Sequence, residues 1–244
     1  MTEPLPVPER ALAIGAHPDD IEFGCGGTLA AWTAAGCELT MLVVTDGSKG
    51  TWDRTMSPTG LAAIRKDEQL AAAHALGASH VVHLDHVDGE LLYTMALRAA
   101  MCLQIRLARP DVVLTHDPWK RYQIHPDHRA TGLAVVDGVV AARDHLFFPD
   151  QGVAPYRPAA LLLWSADEID HWEDVAATLD RKVAALLCHA SQATSSMGLG
   201  PEQAGAHDDE SRRTEFADRM RSRAAEAGQH VGLAAAEAFK HLAP

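Results

Sequence analysis

Residues 11–20 read ALAIGAHPDD: an apolar run ending at Ala16, followed without a spacer by His17-Pro18-Asp19-Asp20. A short apolar run closed by a proline-bearing turn predicts a buried strand. The next such run, residues 39–45, comes after a helix-period stretch over 27–35. Outward from there the pattern repeats. Residues 81–84, 111–115 and 159–164 read as further strands, and 61–76, 93–108 and 127–142 as helices between them. Gly36 and Gly77 sit where helix C-caps belong, and Pro110 stops the third helix. Alternating strands and helices predict an α/β fold, one Rossmann-like domain over residues 1–244 with a mostly parallel sheet flanked by helices. Beyond residue 170 the strand signal fades. Helices over 175–189 and 211–227, separated by a loop around 198–206, predict a helical C-terminal region.

The chain has 244 residues, of which 47% are hydrophobic and 22% charged, enough for a sizeable core without disulfides. A formal net charge of -12 argues against nucleic acid or an anionic membrane as partner. Cys25, Cys37, Cys102 and Cys188 form no CxxC pair, which suits buried thiols in a reducing cytoplasm. The apolar stretch 11–16 is too short for a signal-peptide core, and no window reaches the roughly 18 apolar residues of a membrane span. A soluble, cytoplasmic protein is expected. The mixed-charge run with Glu210, Arg212, Arg213, Glu215, Asp218 and Arg219 reads as a solvated face or a subunit contact in a homo-oligomer.

A second tetrad, His125-Pro126-Asp127-His128, opens the helix after the fourth strand. In an open parallel sheet ligands bind beyond the carboxyl ends of the strands, so the two tetrads can meet on one edge. Within each tetrad the first and fourth residues lie one turn apart, and Pro18 and Pro126 favour the first helical position. His and carboxylate donors without cysteine suit a catalytic Zn2+ site, although Fe2+, Co2+ or Mn2+ accept similar ligands. Spacing alone leaves open which groups bind metal and which move protons. Asp19 and Asp20 could also be a helix-start capping pair, but a second tetrad on the same edge argues past that. Gly24, Gly26 and Gly27 lack GxGxxG spacing, so a dinucleotide site is not expected. The histidines at 74, 80, 83, 86, 116, 145, 171, 207, 230 and 241 are read as ordinary surface or core groups. His189 either lines the site or packs a helix end.

The chain resembles the PIG-L/LmbE-like metal-dependent deacetylases. The resemblance runs from residue 11 to about 192. It rests on the two tetrads, Cys25-Gly26-Gly27-Thr28, Thr45-Asp46-Gly47, Arg65 with Glu68, Leu76-Gly77, Asp88-Gly89, Arg109-Pro110-Asp111, and His189 with Ser191-Gln192. It implies that His17, Asp20 and His128 bind the metal and that Asp19 is the general base. His125 would stabilise the oxyanion and protonate the leaving amine, with Asp127 orienting it. Arg65 and Asp88 would contact substrate, Asp46 could reach the same edge, and the long loop 47–60, with Lys49 and Trp52, could form a pocket wall or lid; Arg65 and Glu68 could equally be a surface ion pair. The implied reaction is zinc-dependent removal of an acetyl or related acyl group from an amino-sugar conjugate. The alternatives are a thiol-sugar S-conjugate amidase and a deacetylase of a glycosylated natural product. A fold that binds metal without hydrolysis and a nucleotide-using enzyme are the contrasting classes.

Overall fold

Period-two alternation sends successive residues of β1 (Arg10–Gly15) to opposite sides of the sheet. Ala11 and Ala13 join one buried cluster with Ile21, Leu29, Met41 and Leu114; Leu12 and Ile14 join a second with Leu42, Val44, Met101 and Val113. Both faces are packed, as a parallel sheet requires. The computed structural model describes residues 5–198 and 209–244. The elements after β1 are α1 (Asp20–Ala34), β2 (Glu38–Thr45), α2 (Pro58–Leu76), β3 (His80–His86), α3 (Met95–Ala108), β4 (Val112–His116), α4 (Pro126–Ala142), β5 (Ala160–Trp164), β6 (His171–Asp174), α5 (Leu179–Leu187), α6 (Asp209–Gln229) and β7 (Ala236–Leu242).

Among the described residues, seven strands form one sheet in the order β3-β2-β1-β4-β5-β7-β6. The first five are parallel, and β7 runs antiparallel to both β5 and β6. Helices α1, α2 and α5 cover one face, and α3 and α4 the other. None of these helices is long and apolar enough to cross a membrane.

The five expected strands and the helices between them are present, with two corrections. The C-terminal region is not wholly helical, because β6 and β7 complete the sheet there. Their sequences, HWED and AEAFKHL, are polar or alanine-rich, and tertiary pairing overrides that weak propensity. The first helix begins at Asp20 instead of near residue 27. A break at Cys25 (φ -150°, ψ 17°) divides it, and the sequence-based helix over 27–35 corresponds to its second part. Glu237 on β7 accepts from the Gly27 and Thr28 amides at 2.9 and 2.8 Å, capping that second part. The expected loop around 198–206 and His207 lie, apart from Gly198, outside the described residues.

Candidate metal centre

From β1 the chain moves to β2 and β3 on one side and returns to β4 and β5 on the other, so a crevice opens at the carboxyl ends of β1 and β4. His17 to Asp20 leave the first of these ends. His125 and His128 come from the start of α4, after the second. His17 Nδ1 lies 3.2 Å from Asp20 Oδ2, His128 Nε2 3.2 Å from Asp20 Oδ1, and the two ring nitrogens 3.3 Å apart.

These spacings fit a metal. Donors about 2.0–2.1 Å from a tetrahedral zinc ion sit about 3.3–3.4 Å from one another. The charge also fits. His17 Nε2 is 3.1 Å from Asp127 Oδ2 and 3.2 Å from Asp88 Oδ1, so three carboxylates, with Asp20, crowd one buried imidazole. Burial works against a charged His17, yet the hydrogen bonds to Asp127, Asp20 and Asp88 outweigh it and raise the ring's pKa well above its ordinary value. The pocket is built for positive charge. His125 also brings a ring nitrogen within 4.8 Å of those of His17 and His128.

Asp19 occupies the N-cap position of α1 with φ 101°, a left-handed conformation that non-glycine residues seldom adopt, and its side chain makes no capping bond. The carboxylate is 5% exposed, and Oδ2 has no hydrogen-bond partner. Burial pushes this carboxyl up to about 6, against the pull of Arg65, whose Nη2 is 3.6 Å away. Behind it Gln69 accepts from the Asp19 amide and donates to Glu22 Oε1 at 2.6 Å. His189, fully buried, lies 3.6 Å from the same Glu22 oxygen. His125 caps α4: its Nδ1 accepts from the Asp127 amide at 3.3 Å, which leaves Nε2 to carry the ring proton. Its pKa is lowered by burial first and then by His17 and His128.

The other residues singled out in the sequence have the following partners in the structure. The Asp127 carboxylate goes to His17 and to the amides of Gly89 (2.7 Å) and Leu91 (3.3 Å); only its backbone meets His125. Asp88 is similarly committed, with Oδ1 near His17 and Oδ2 accepting from the Lys49 amide. Arg65 is buried and donates to the carbonyls of Gly47 and Pro18. It is no surface partner of Glu68, which instead accepts from Ser191. Asp46 folds its own loop by accepting from the Ser48 and Asp88 amides. Lys49 pairs with Glu90 at 2.6 Å, and Trp52 is 75% exposed.

His116, read from sequence as an ordinary histidine, belongs to the cluster. It is buried at the end of β4, stacks on His128 with ring centroids 4.3 Å apart, and puts Nε2 3.3 Å from Asp20 Oδ2. The available signal was its place in the Val112-Leu114-His116 stripe, one face of a strand that ends at the crevice.

The sequence model of the PIG-L family, described as GlcNAc-PI de-N-acetylase, matches residues 12–139, more than half of the chain. The chain is similar to diacetylchitobiose deacetylase of Thermococcus kodakarensis (34% identity over 195 residues, 79% of this chain and 73% of the relative). It is also similar to 1D-myo-inositol 2-acetamido-2-deoxy-alpha-D-glucopyranoside deacetylase of Rhodococcus opacus (30% identity, 76% of this chain and 82% of the relative). Among solved structures, N,N'-diacetylchitobiose deacetylase from Pyrococcus horikoshii superposes with a TM-score of 0.84 at 29% identity, over 97% of this chain and 84% of that one. With both tetrads inside the matched region and the same fold over nearly its whole length, the chain belongs to the PIG-L family.

Proposed function

We propose that this chain is a zinc-dependent amidohydrolase that removes an N-acetyl group from an amino-sugar conjugate. The observation that carries the reading is the convergence of His17 Nδ1 on Asp20 Oδ2, of His128 Nε2 on Asp20 Oδ1 and of the two ring nitrogens on each other, beside the buried Asp19 carboxylate and a half-buried His125 imidazole. His17, Asp20 and His128 would hold the ion. Bound there, zinc would polarise the amide carbonyl and lower the pKa of water toward about 7.

The protein's own groups carry the protons. Asp19 takes one from the attacking water on its carboxylate, which Arg65 Nη2 faces at 3.6 Å. His125 hydrogen-bonds the carbonyl oxygen through its Nε2–H as negative charge develops; the departing amine takes that proton, and the proton that Asp19 removed from water restores the imidazole. Asp88 and Asp127 hold the Nε2–H of His17, which turns Nδ1 inward as a lone-pair donor. Arg65 offsets the Asp19 charge and ties the Gly47 carbonyl to the site. A cavity of about 520 Å³, reached by Asp20 and His128 and bounded by Phe23, Trp164, Met220 and Arg223, leaves room for a conjugate well beyond the acetyl group.

The relatives named for diacetylchitobiose and for an inositol glucosaminide support a sugar amide as substrate. The test is primary-amine release from N-acetylglucosamine, N,N'-diacetylchitobiose, the acetylglucosamine–inositol conjugate and a thiol-sugar conjugate, using zinc-loaded protein. Release from an acetylated sugar is expected. Cleavage of the thiol-sugar conjugate alone would replace the deacetylase with an amidase, and no release from protein with bound zinc would overturn the hydrolase.

Asp127 gives a second test. Asp127→Asn keeps the volume but weakens the hold on His17, so zinc affinity should fall by about 10–100-fold in competition with a chromophoric chelator. An unchanged affinity would remove Asp127 from that role.

A further inference from the structure

His116 Nε2 has two neighbours with opposite needs: the Ala16 N–H, 3.2 Å away, and Asp20 Oδ2, 3.3 Å away. The first asks for a lone pair and the second for a hydrogen. The other end of the ring decides between them. Trp164 Nε1, which can only donate, lies 3.0 Å from His116 Nδ1. An Nδ1–H tautomer would set two hydrogens against each other there and turn the Nε2 lone pair toward an anionic oxygen. An Nε2–H tautomer satisfies both Trp164 and Asp20 and leaves only the Ala16 amide without this acceptor.

Trp164 is held in place to do this. His116 and Trp164 are register partners at the ends of β4 and β5. The indole also lies so close to the backbone of α1 that a Cβ at Gly24 would fall 2.5 Å from Trp164 Cδ2.

We infer that His116 is a positioning residue for the Asp20 carboxylate: Trp164 fixes it as the Nε2–H tautomer, and Nε2 donates to Asp20 Oδ2. The same assignment keeps His116 out of the ligand set. A donor triplet of Asp20, His116 and His128 also lies within 4.8 Å. In this tautomer Nδ1 is occupied by the indole and Nε2 by hydrogen, so neither nitrogen has a free lone pair for a metal. Asp20 Oδ2 is then gripped by two donors, His116 Nε2 and the His17 amide at 2.7 Å, which sets the plane of the carboxylate.

This inference rests on the metal reading of the site for its consequence and on hydrogen-bond geometry for the tautomer. The experiment is histidine-selective 15N NMR of the zinc-loaded wild-type protein, with the His116 signals assigned by their loss in His116→Gln, together with zinc affinities of His116→Gln and His116→Leu. The glutamine amide can still donate to Asp20, whereas leucine cannot. The expected results are a proton on Nε2, affinity within about threefold of wild type for glutamine, and a loss of about 10–100-fold for leucine. A proton on Nδ1, or full zinc affinity in the leucine variant, would overturn it. Should the wild type bind no zinc, the metal reading fails, and the tautomer read on metal-free protein still decides whether His116 donates to Asp20.

Discussion

Asp19→Asn is expected to lower kcat by about 10²–10⁴-fold with zinc still bound at about one ion per chain, the range that a general base supplies. The substitution is nearly isosteric, and asparagine tolerates positive φ better than most residues, so the backbone at φ 101° is not the variable under test. No helix cap is lost, since the Asp19 side chain forms none. What disappears is the ability of the carboxylate to accept a proton, along with the charge facing Arg65. A thermal melt separates any fold effect of that uncovered arginine from the chemistry. Full turnover in the variant would remove Asp19 as base, and loss of zinc together with activity would assign it to metal retention instead.

Much of the fold was legible because a buried parallel sheet writes itself as apolar runs. The residues from Ala11 to Ala16 and from Leu39 to Thr45 need no partner to be recognised. The last two strands were not legible, because HWED and AEAFKHL become strands only through pairing with β5 and with each other. At the site, the two tetrads announced the residues that now lie within a few ångströms of one another, since a turn of tight backbone fixes their spacing. Partner choice was hidden. Whether the Asp127 carboxylate meets His125 or His17 depends on how α4 docks against β1, and Asp88 reaches His17 from the far end of β3. His116 was missed for the opposite reason: beyond its place on the Val112-Leu114-His116 stripe, an isolated histidine at the end of an apolar strand looks like any satisfied core residue until Trp164 and Asp20 appear on either side of it.

Arg65 shows how burial narrows what a residue type can do. An arginine near the crevice suggests contact with phosphate or hydroxyl oxygens; this one is 3% exposed and donates to the carbonyls of Gly47 and Pro18 beside Asp19. Its position on α2 fixes it behind the carboxylate, where its charge favours the ionised form of Asp19.

Metal dependence tests the central claim most directly. Protein stripped with a chelator and titrated with zinc, with amine release from N,N'-diacetylchitobiose as the readout, should show almost no turnover without metal. Activity should then rise to a break at about one zinc per chain, as three converging protein donors require. Undiminished turnover by the metal-free protein, or no response to zinc bound at that stoichiometry, would contradict the account.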